Sequence, residues 1–262
     1  MFFSKKKPSA AYDPAVQRPA LRCSICTGEQ VAGFVHPDGH FEDVQLIRTP
    51  QELAAFRTRY GIDVSSFQGE IDWDAVADDN IDFAMVRVGF RGTGTGSLNT
   101  DKYYEQNIRG AMRAGLETGV YFFAQAVTVE EAIEEAEYVI SLLDGLDING
   151  PVAYDWEMHD STYRVYGTSP EMATACAVAF CQRIKDAGYT PMVYGGTYVT
   201  YMKYDQGALA DYLSWYPEYK SEKSEKLCPT LVYHMDYWQF SSTRAVAGIN
   251  GRVDMNIQFI RR

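Results

Sequence analysis

The segment PVAYDWEM, residues 151–158, sets two carboxyl groups, Asp155 and Glu157, two residues apart in a run that reads as a β-strand. Side chains alternate across a strand, so this spacing puts both acids on one side. Close neighbours of like charge resist ionising together, so one can stay charged while the other keeps its proton. Cleaving a glycosidic bond needs that division of labour. A protonated acid donates to the leaving oxygen while negative charge steadies the oxocarbenium-like transition state. Two carboxyls can do this with no cofactor and no metal. A second reading stays open, in which an acidic strand end only caps a helix or binds a backbone amide; for an isolated Asp-x-Glu that reading is the commoner one.

The elements that would position the pair follow a repeated pattern. From Gly61 onward, short apolar runs alternate with helical patterns, as in βα units. The strands predicted are GIDVSS, DFAMVRVGF, GVYFFAQA, GPVAYDWEM, TPMVYGG, YLSWYP, DYWQFSS and VDMNIQFI. The helices predicted are DKYYEQNIRGAMRAG, TVEEAIEEAEYVISLLDG and SPEMATACAVAFCQRIKDAG, each with a cap and an apolar stripe. After about Asp205 the helical signal is weak. The fold class expected is therefore α/β, an irregular TIM-like barrel of eight strands with fewer than eight helices. In such barrels the active site lies at the carboxyl ends of the strands. Asp63, Asp155 with Glu157, Trp215, Gln239 and Asp254 all fall near strand ends and converge on one mouth.

Residues 1–21, rich in Lys, Pro and Ala, read as a flexible tail. Residues 22–59 read as a small hairpin-plus-helix unit. VAGFVHPDGHFEDVQLI alternates about a Pro-Asp-Gly turn, and TPQELAAFRTRYG carries Thr49 as N-cap, Pro50, Glu52 and a terminal Gly61. Residues 60–262 form the barrel. At 262 residues and 46% hydrophobic, the chain is long enough for one barrel and a small appendage. The net charge of −11 excludes a nucleic-acid partner, which would require clustered Lys and Arg. No run reaches the length of a membrane span. The N-terminal basic run lacks an apolar stretch behind it and is not the pattern of a secretory signal, which leaves endolysin-type release and an extracellular setting both open.

Five motifs, GIDVSSFQGEIDW, GVYFFAQA, PVAYDWEM, WQFSS and GRVDMN, stand in the order seen in glycoside hydrolase family 25. From about Gly61 to the C-terminus the chain resembles these Chalaropsis-type lysozymes. The resemblance implies an irregular β/α barrel and hydrolysis of the β-1,4 bond between N-acetylmuramic acid and N-acetylglucosamine, so the partner implied is the peptidoglycan glycan strand. It also implies that Glu157 is the proton donor, Asp155 its partner carboxylate, and Asp63 and Asp254 the other two acids of the catalytic groove. Tyr121, Tyr194, Trp215 and Gln239 fall where such enzymes hold sugar rings, and core packing accounts for them equally well. The role of Asp155 stays open among nucleophile, orienter of the substrate's N-acetyl group and activator of water.

Other signals carry less. Cys23, Cys26, His36 and His40 have the residue types of a zinc site, but the gap between the halves is short and the two His flank a turn. Cys176 and Cys181 read as small packing residues on a helix. RGTGTGS lacks the Lys of a phosphate loop and reads as a flexible loop bordering the mouth. His159 reads as a loop histidine. Two rival functions fit a barrel of this type. A chitinase-like enzyme would carry a further Asp two residues before Asp155, where this chain has Ala153. A catalytically inactive wall-binding barrel would not need all four acids.

Overall fold

The computed structural model describes residues 18–23, 30–36, 38, 40–47, 58–219 and 235–259. They fall into two compact units. The first is a three-stranded antiparallel sheet of β1 (Arg18–Cys23), β2 (Gln30–Val35) and β3 (Phe41–Ile47), in that order. The hairpin expected about residues 36–40 is β2 and β3, with Val35 opposite Phe41 and the His36 N–H donating to the His40 carbonyl at 2.9 Å. A third strand joins it where residues 18–21 read as tail. Pro19 is compatible with this because β1 is an edge strand, where a residue without an N–H can point its backbone away from the ladder.

The expected helix at 49–61 lies mostly outside the described residues. Its last four residues, 58–61, belong instead to the barrel strand β4 (Thr58–Val64). Gly61, read as a helix stop, is an interior position of that strand: a Cβ there would sit 2.4 Å from the Phe83 ring. Arg59 fixes the strand further by donating to Glu117, to Gln258 and to the Asp82 carbonyl.

The second unit is the barrel. After β4 come β5 (Phe83–Arg91), β6 (Leu98–Thr100), β7 (Glu117–Ala124), β8 (Val152–Trp156), β9 (Pro191–Tyr194), β10 (Leu213–Pro217), β11 (Tyr237–Arg244) and β12 (Val253–Phe259). The order β4-β12-β11-β10-β9-β8-β7-β5 closes through pairing of β5 with β4, which makes eight strands, and β6 hangs on β5. All eight strands expected from the sequence are present. β4, β5 and β7 to β11 run parallel around the barrel, β6 is antiparallel to β5, and β12 is antiparallel to β11. RGTGTGS is the hydrogen-bonded turn between β5 and β6, with Gly92 N–H to the Ser97 carbonyl and Gly96 N–H to the Gly92 carbonyl.

The described helices are α1 (Trp73–Asp78), α2 (Tyr104–Arg113), α3 (Val129–Leu142), α4 (Pro170–Asp186) and α5 (Thr197–Met202). α2, α3 and α4 match the three expected; α1 and α5 are short additions. Thr128 caps α3 by accepting from the Glu131 N–H, and Ser169 with Pro170 starts α4. Strand alternation divides the core in two. Ile62, Val86, Tyr154 and Trp156 face the helices, with Tyr154 packed 4.8 Å from the Phe180 ring of α4. Phe83, Met85, Ala153, Met192, Tyr194, Trp215 and Tyr237 fill the barrel interior. Asp155 follows Ala153 by two residues and shares its inward face.

Candidate active site

Four acids meet at the mouth. Asp63 is the penultimate residue of β4, Asp155 lies near the end of β8, and Glu157 follows that strand by one residue. Asp254 comes from the start of β12 rather than from a strand end. Because β12 runs against the others, its amino end is at the mouth where they finish. Asp63 and Asp155 are buried at 6% and 7% exposure, whereas the Glu157 side chain retains 24%. Glu157 is therefore the most accessible of the three.

Burial dominates the electrostatics. It pushes Asp63 up to about 8, the Asp254 carboxylate adds to the rise, and hydrogen bonds from Asn256 and Gln239 oppose it. Asp254 is pushed up to about 6 by burial and by Glu157, with a hydrogen bond from Asp63 holding it down. Asp155 lies well above the usual carboxylate range because it is buried beside Glu157 and Asp63, against which Arg87 acts weakly. Its Oδ1 has no hydrogen-bond partner. Crowded, desolvated carboxyls retain protons that isolated ones would lose at neutral pH, and their titration belongs to the group of residues rather than to any one of them. The site thus holds both protons and negative charge at once.

A polar network holds these acids. Asp63 Oδ2 accepts from Gln239 Nε2 and from Asn256 Nδ2, each at 2.8 Å. Trp215 Nε1 donates to Asn256 Oδ1 at 2.8 Å, and Gln239 Oε1 accepts from the Tyr194 and Tyr219 hydroxyls at 3.1 and 2.9 Å. Trp215, Tyr194 and Gln239 are 3%, 6% and 4% exposed, so they face the acids more than the solvent. Tyr121 is half-buried, its ring edge-on to Trp215 at 5.9 Å, and burial pushes its hydroxyl well above the ordinary tyrosine range.

The backbone at Glu157 is held from behind. Gln125 Nε2 donates to the Glu157 carbonyl at 2.8 Å, and the Gln125 N–H donates to Glu135 Oε1, which also pairs with the buried Arg91 at 2.7 Å. Arg164, in the loop that follows, grips Glu131 at 2.7 and 3.0 Å and the Gln125 carbonyl at 3.0 Å. His159 Nε2 lies 2.8 Å from Glu157 Oε2.

The sequence reading missed Asn256, Tyr219, Gln125 and this use of His159. Asn256 had a usable signal: it follows Asp254 by two residues in an alternating strand and so faces the same side. The Tyr219 hydroxyl and the Gln125 side chain meet partners 20 and 32 residues away, and neither had a signal. Of the zinc quartet, Cys26 lies outside the described residues, and His36 Nε2 is 3.0 Å from Glu42 Oε2 with its ring 5.8 Å from that of His40. Among the described residues no three His, Cys, Asp or Glu side chains are grouped to hold a metal ion. Cys176 and Cys181 are free, buried thiols, and burial raises both above the ordinary range.

The chain is 26% identical over 197 residues to an autolytic lysozyme of Clostridium acetobutylicum, an alignment covering 75% of this chain and 54% of that protein. It thus spans about half the length of that relative. It is 25% identical to the uncharacterized protein YegX of Escherichia coli K12 over 92% of this chain and 83% of that one. The solved bacterial lysozyme of Streptomyces coelicolor is 25% identical, with a TM-score of 0.61, over 76% of this chain and 90% of its own. The sequence model of glycosyl hydrolases family 25 matches residues 62–249, which hold Asp63, Asp155 and Glu157. With its closed barrel, its acids at the mouth and that match, the chain belongs to glycosyl hydrolases family 25.

Proposed function

We propose that this protein is a muramidase that hydrolyses the β-1,4 bond between N-acetylmuramic acid and N-acetylglucosamine in peptidoglycan. The observation that carries the reading is the convergence of Asp63, Asp155, Glu157 and Asp254 at one barrel mouth, where burial keeps part of the cluster protonated. Likeness to proteins named as lysozymes supplies the substrate class.

In this reading Glu157 gives its proton to the leaving glycosidic oxygen, because it alone of the β8 pair reaches solvent. The C–O bond breaks, positive charge builds on the sugar ring, and the remaining carboxylate charge steadies it. Water completes the cleavage, giving up a proton that restores the acid. Asp155 is a catalytic residue whose role is left among nucleophile, N-acetyl orienter and water activation. Asp63 and Asp254 set the field around the pair. Tyr121, half-buried, is the one of the four aromatic and amide candidates that is not fully buried, and so is the one placed to meet a sugar. Ala153 adds no third acid to the inner face of β8, which separates the site from a chitinase-like series.

Digestion of purified peptidoglycan with identification of the new ends tests this. New reducing ends on N-acetylmuramic acid are expected. Reducing ends on N-acetylglucosamine, or wall binding without release, would overturn it.

A further inference from the structure

Of the two amides that bond Asp63, Asn256 has its orientation set from the far side. Asn256 Oδ1 receives the Trp215 indole N–H, a group that donates and never accepts. Asn256 therefore has to present its NH2 to Asp63. Turned over, it would set NH2 against indole N–H and carbonyl oxygen against carboxylate. Asn256 is 0% exposed and Trp215 3%, so no water would relieve those contacts. Gln239 presents its Nε2 to Asp63 while its Oε1 accepts from the Tyr194 and Tyr219 hydroxyls, groups that can donate or accept and so do not lock it as the indole locks Asn256. Both donors land on one oxygen of Asp63, Oδ2.

We propose that Trp215 and Asn256 are positioning residues for the reaction: the indole N–H locks the Asn256 amide, which with Gln239 makes Asp63 Oδ2 an acceptor only. A proton on Asp63 is thereby left to Oδ1, and Asp63 is also a hydrogen-bond partner of Asp254. This rests on the reading of the four acids as the catalytic group. Neither Trp215 nor Asn256 is exposed enough to meet substrate; both act through Asp63.

The titratable groups facing Asp63 are Asp254 of β12, Asp155 of β8 and Glu157 beyond it, Tyr121 of β7, Tyr194 of β9 and Tyr219 beyond β10. All of these are acids, so their ionisation adds negative charge; the cation of the cluster, Arg87 of β5, acts on Asp155 and Tyr121. The amide donors are what counter that repulsion and the cost of burial. They decide where in the cluster the proton rests as well as how tightly it is held.

Asn256→Asp tests the lock with almost no change of shape. Its Oδ1 can still accept the indole N–H, while an oxygen replaces the amide donor facing Asp63. Buried beside Asp63, the introduced acid keeps its proton near neutrality, so on a soluble peptidoglycan glycan oligomer kcat per folded molecule should fall at least tenfold at pH 9 with KM within about twofold. The ratio of variant to wild-type kcat should recover toward pH 5, because a protonated Asp at 256 can again donate to Asp63. A purely structural role would not produce that recovery. A ratio constant from pH 5 to 9 would overturn the proposal. If Asn256→Asp does not fold, Trp215→Phe decides, since it keeps an aromatic ring and removes the N–H: kcat at least threefold down supports the proposal, and kcat within twofold of wild type overturns it. Glu157→Gln run alongside separates the two levels. Wild-type turnover in Glu157→Gln would defeat the assignment of the site and the proposal with it. An inactive Glu157→Gln beside fully active Asn256→Asp and Trp215→Phe would defeat the positioning proposal alone.

Discussion

His159 Nε2 lies 2.8 Å from Glu157 Oε2, joining an exposed imidazole to the one acid of the β8 pair that solvent can reach. The contact serves either state of the acid, since the ring can donate to a carboxylate or accept from a carboxyl. The His159 side chain is 62% exposed, so the pair adds little to stability. His159→Ala should lower kcat roughly threefold to tenfold by releasing the Glu157 rotamer, with Tm unchanged within about two degrees. Steady-state kinetics beside thermal melts check this; unchanged kcat would show that the bond has no bearing on Glu157.

Stability should fall as pH rises from 5 to 8. Asp63, Asp155, Asp254 and Glu135 all have raised affinities for protons in the folded state, to about 8 for Asp63, 6 for Asp254 and 7 for Glu135. For such acids the native chain binds more protons than the unfolded one, so the stabilisation is complete below the unfolded value and is lost as pH passes the folded value. Glu131 and Glu137 shift the other way, and their contribution is already in place by pH 5. Melts should give a Tm several degrees lower at pH 8 than at pH 5. A Tm that rises over that interval would contradict the electrostatics of the site.

Asp63→Asn should be more stable than wild type at pH 8 and close to it at pH 5. An Asn oxygen can accept from Asn256 and Gln239 as Asp63 Oδ2 does, and its NH2 can reproduce the hydrogen bond to Asp254. The variant therefore mimics the protonated acid without the cost of a buried charge. Its rate of wall hydrolysis should fall even as Tm rises, the exchange of activity for stability expected where a site buries like charges. Paired melts and turnover measurements report both.

Gly110→Ala should destabilise the barrel although alanine is the better helix former. The propensity gain is about 1 kcal/mol. Against it, a Cβ at Gly110 in α2 would lie 2.2 Å from the buried Trp73 ring of α1, and overpacking of that kind costs roughly 1–3 kcal/mol. Denaturant unfolding should show a net loss; a gain would mean that α1 can move away at no cost.

The sequence disclosed the barrel because each of its eight strands is an apolar run closed by polar or turn residues, and because α2, α3 and α4 are long enough for a stripe to repeat. α1 and α5 were illegible for the opposite reason: six residues hold under two turns, and α1 depends on Trp73 settling over Gly110. Residues 58–61 misled because Gly61 resembles a helix stop, while its true constraint is the Phe83 ring across the strand pair. At the site the acids were legible as types at strand ends. What surrounds them was not, since Trp215, Asn256 and Asp63 come together only when β10, β12 and β4 close into one barrel.

The most direct test of Glu157 as the acid is the initial rate of reducing-end release from purified peptidoglycan by wild-type protein and by folded Glu157→Gln at the same pH. Loss of that release in the variant, with an unchanged melting profile, is the result expected. Turnover comparable to wild type in the folded variant would contradict the assignment.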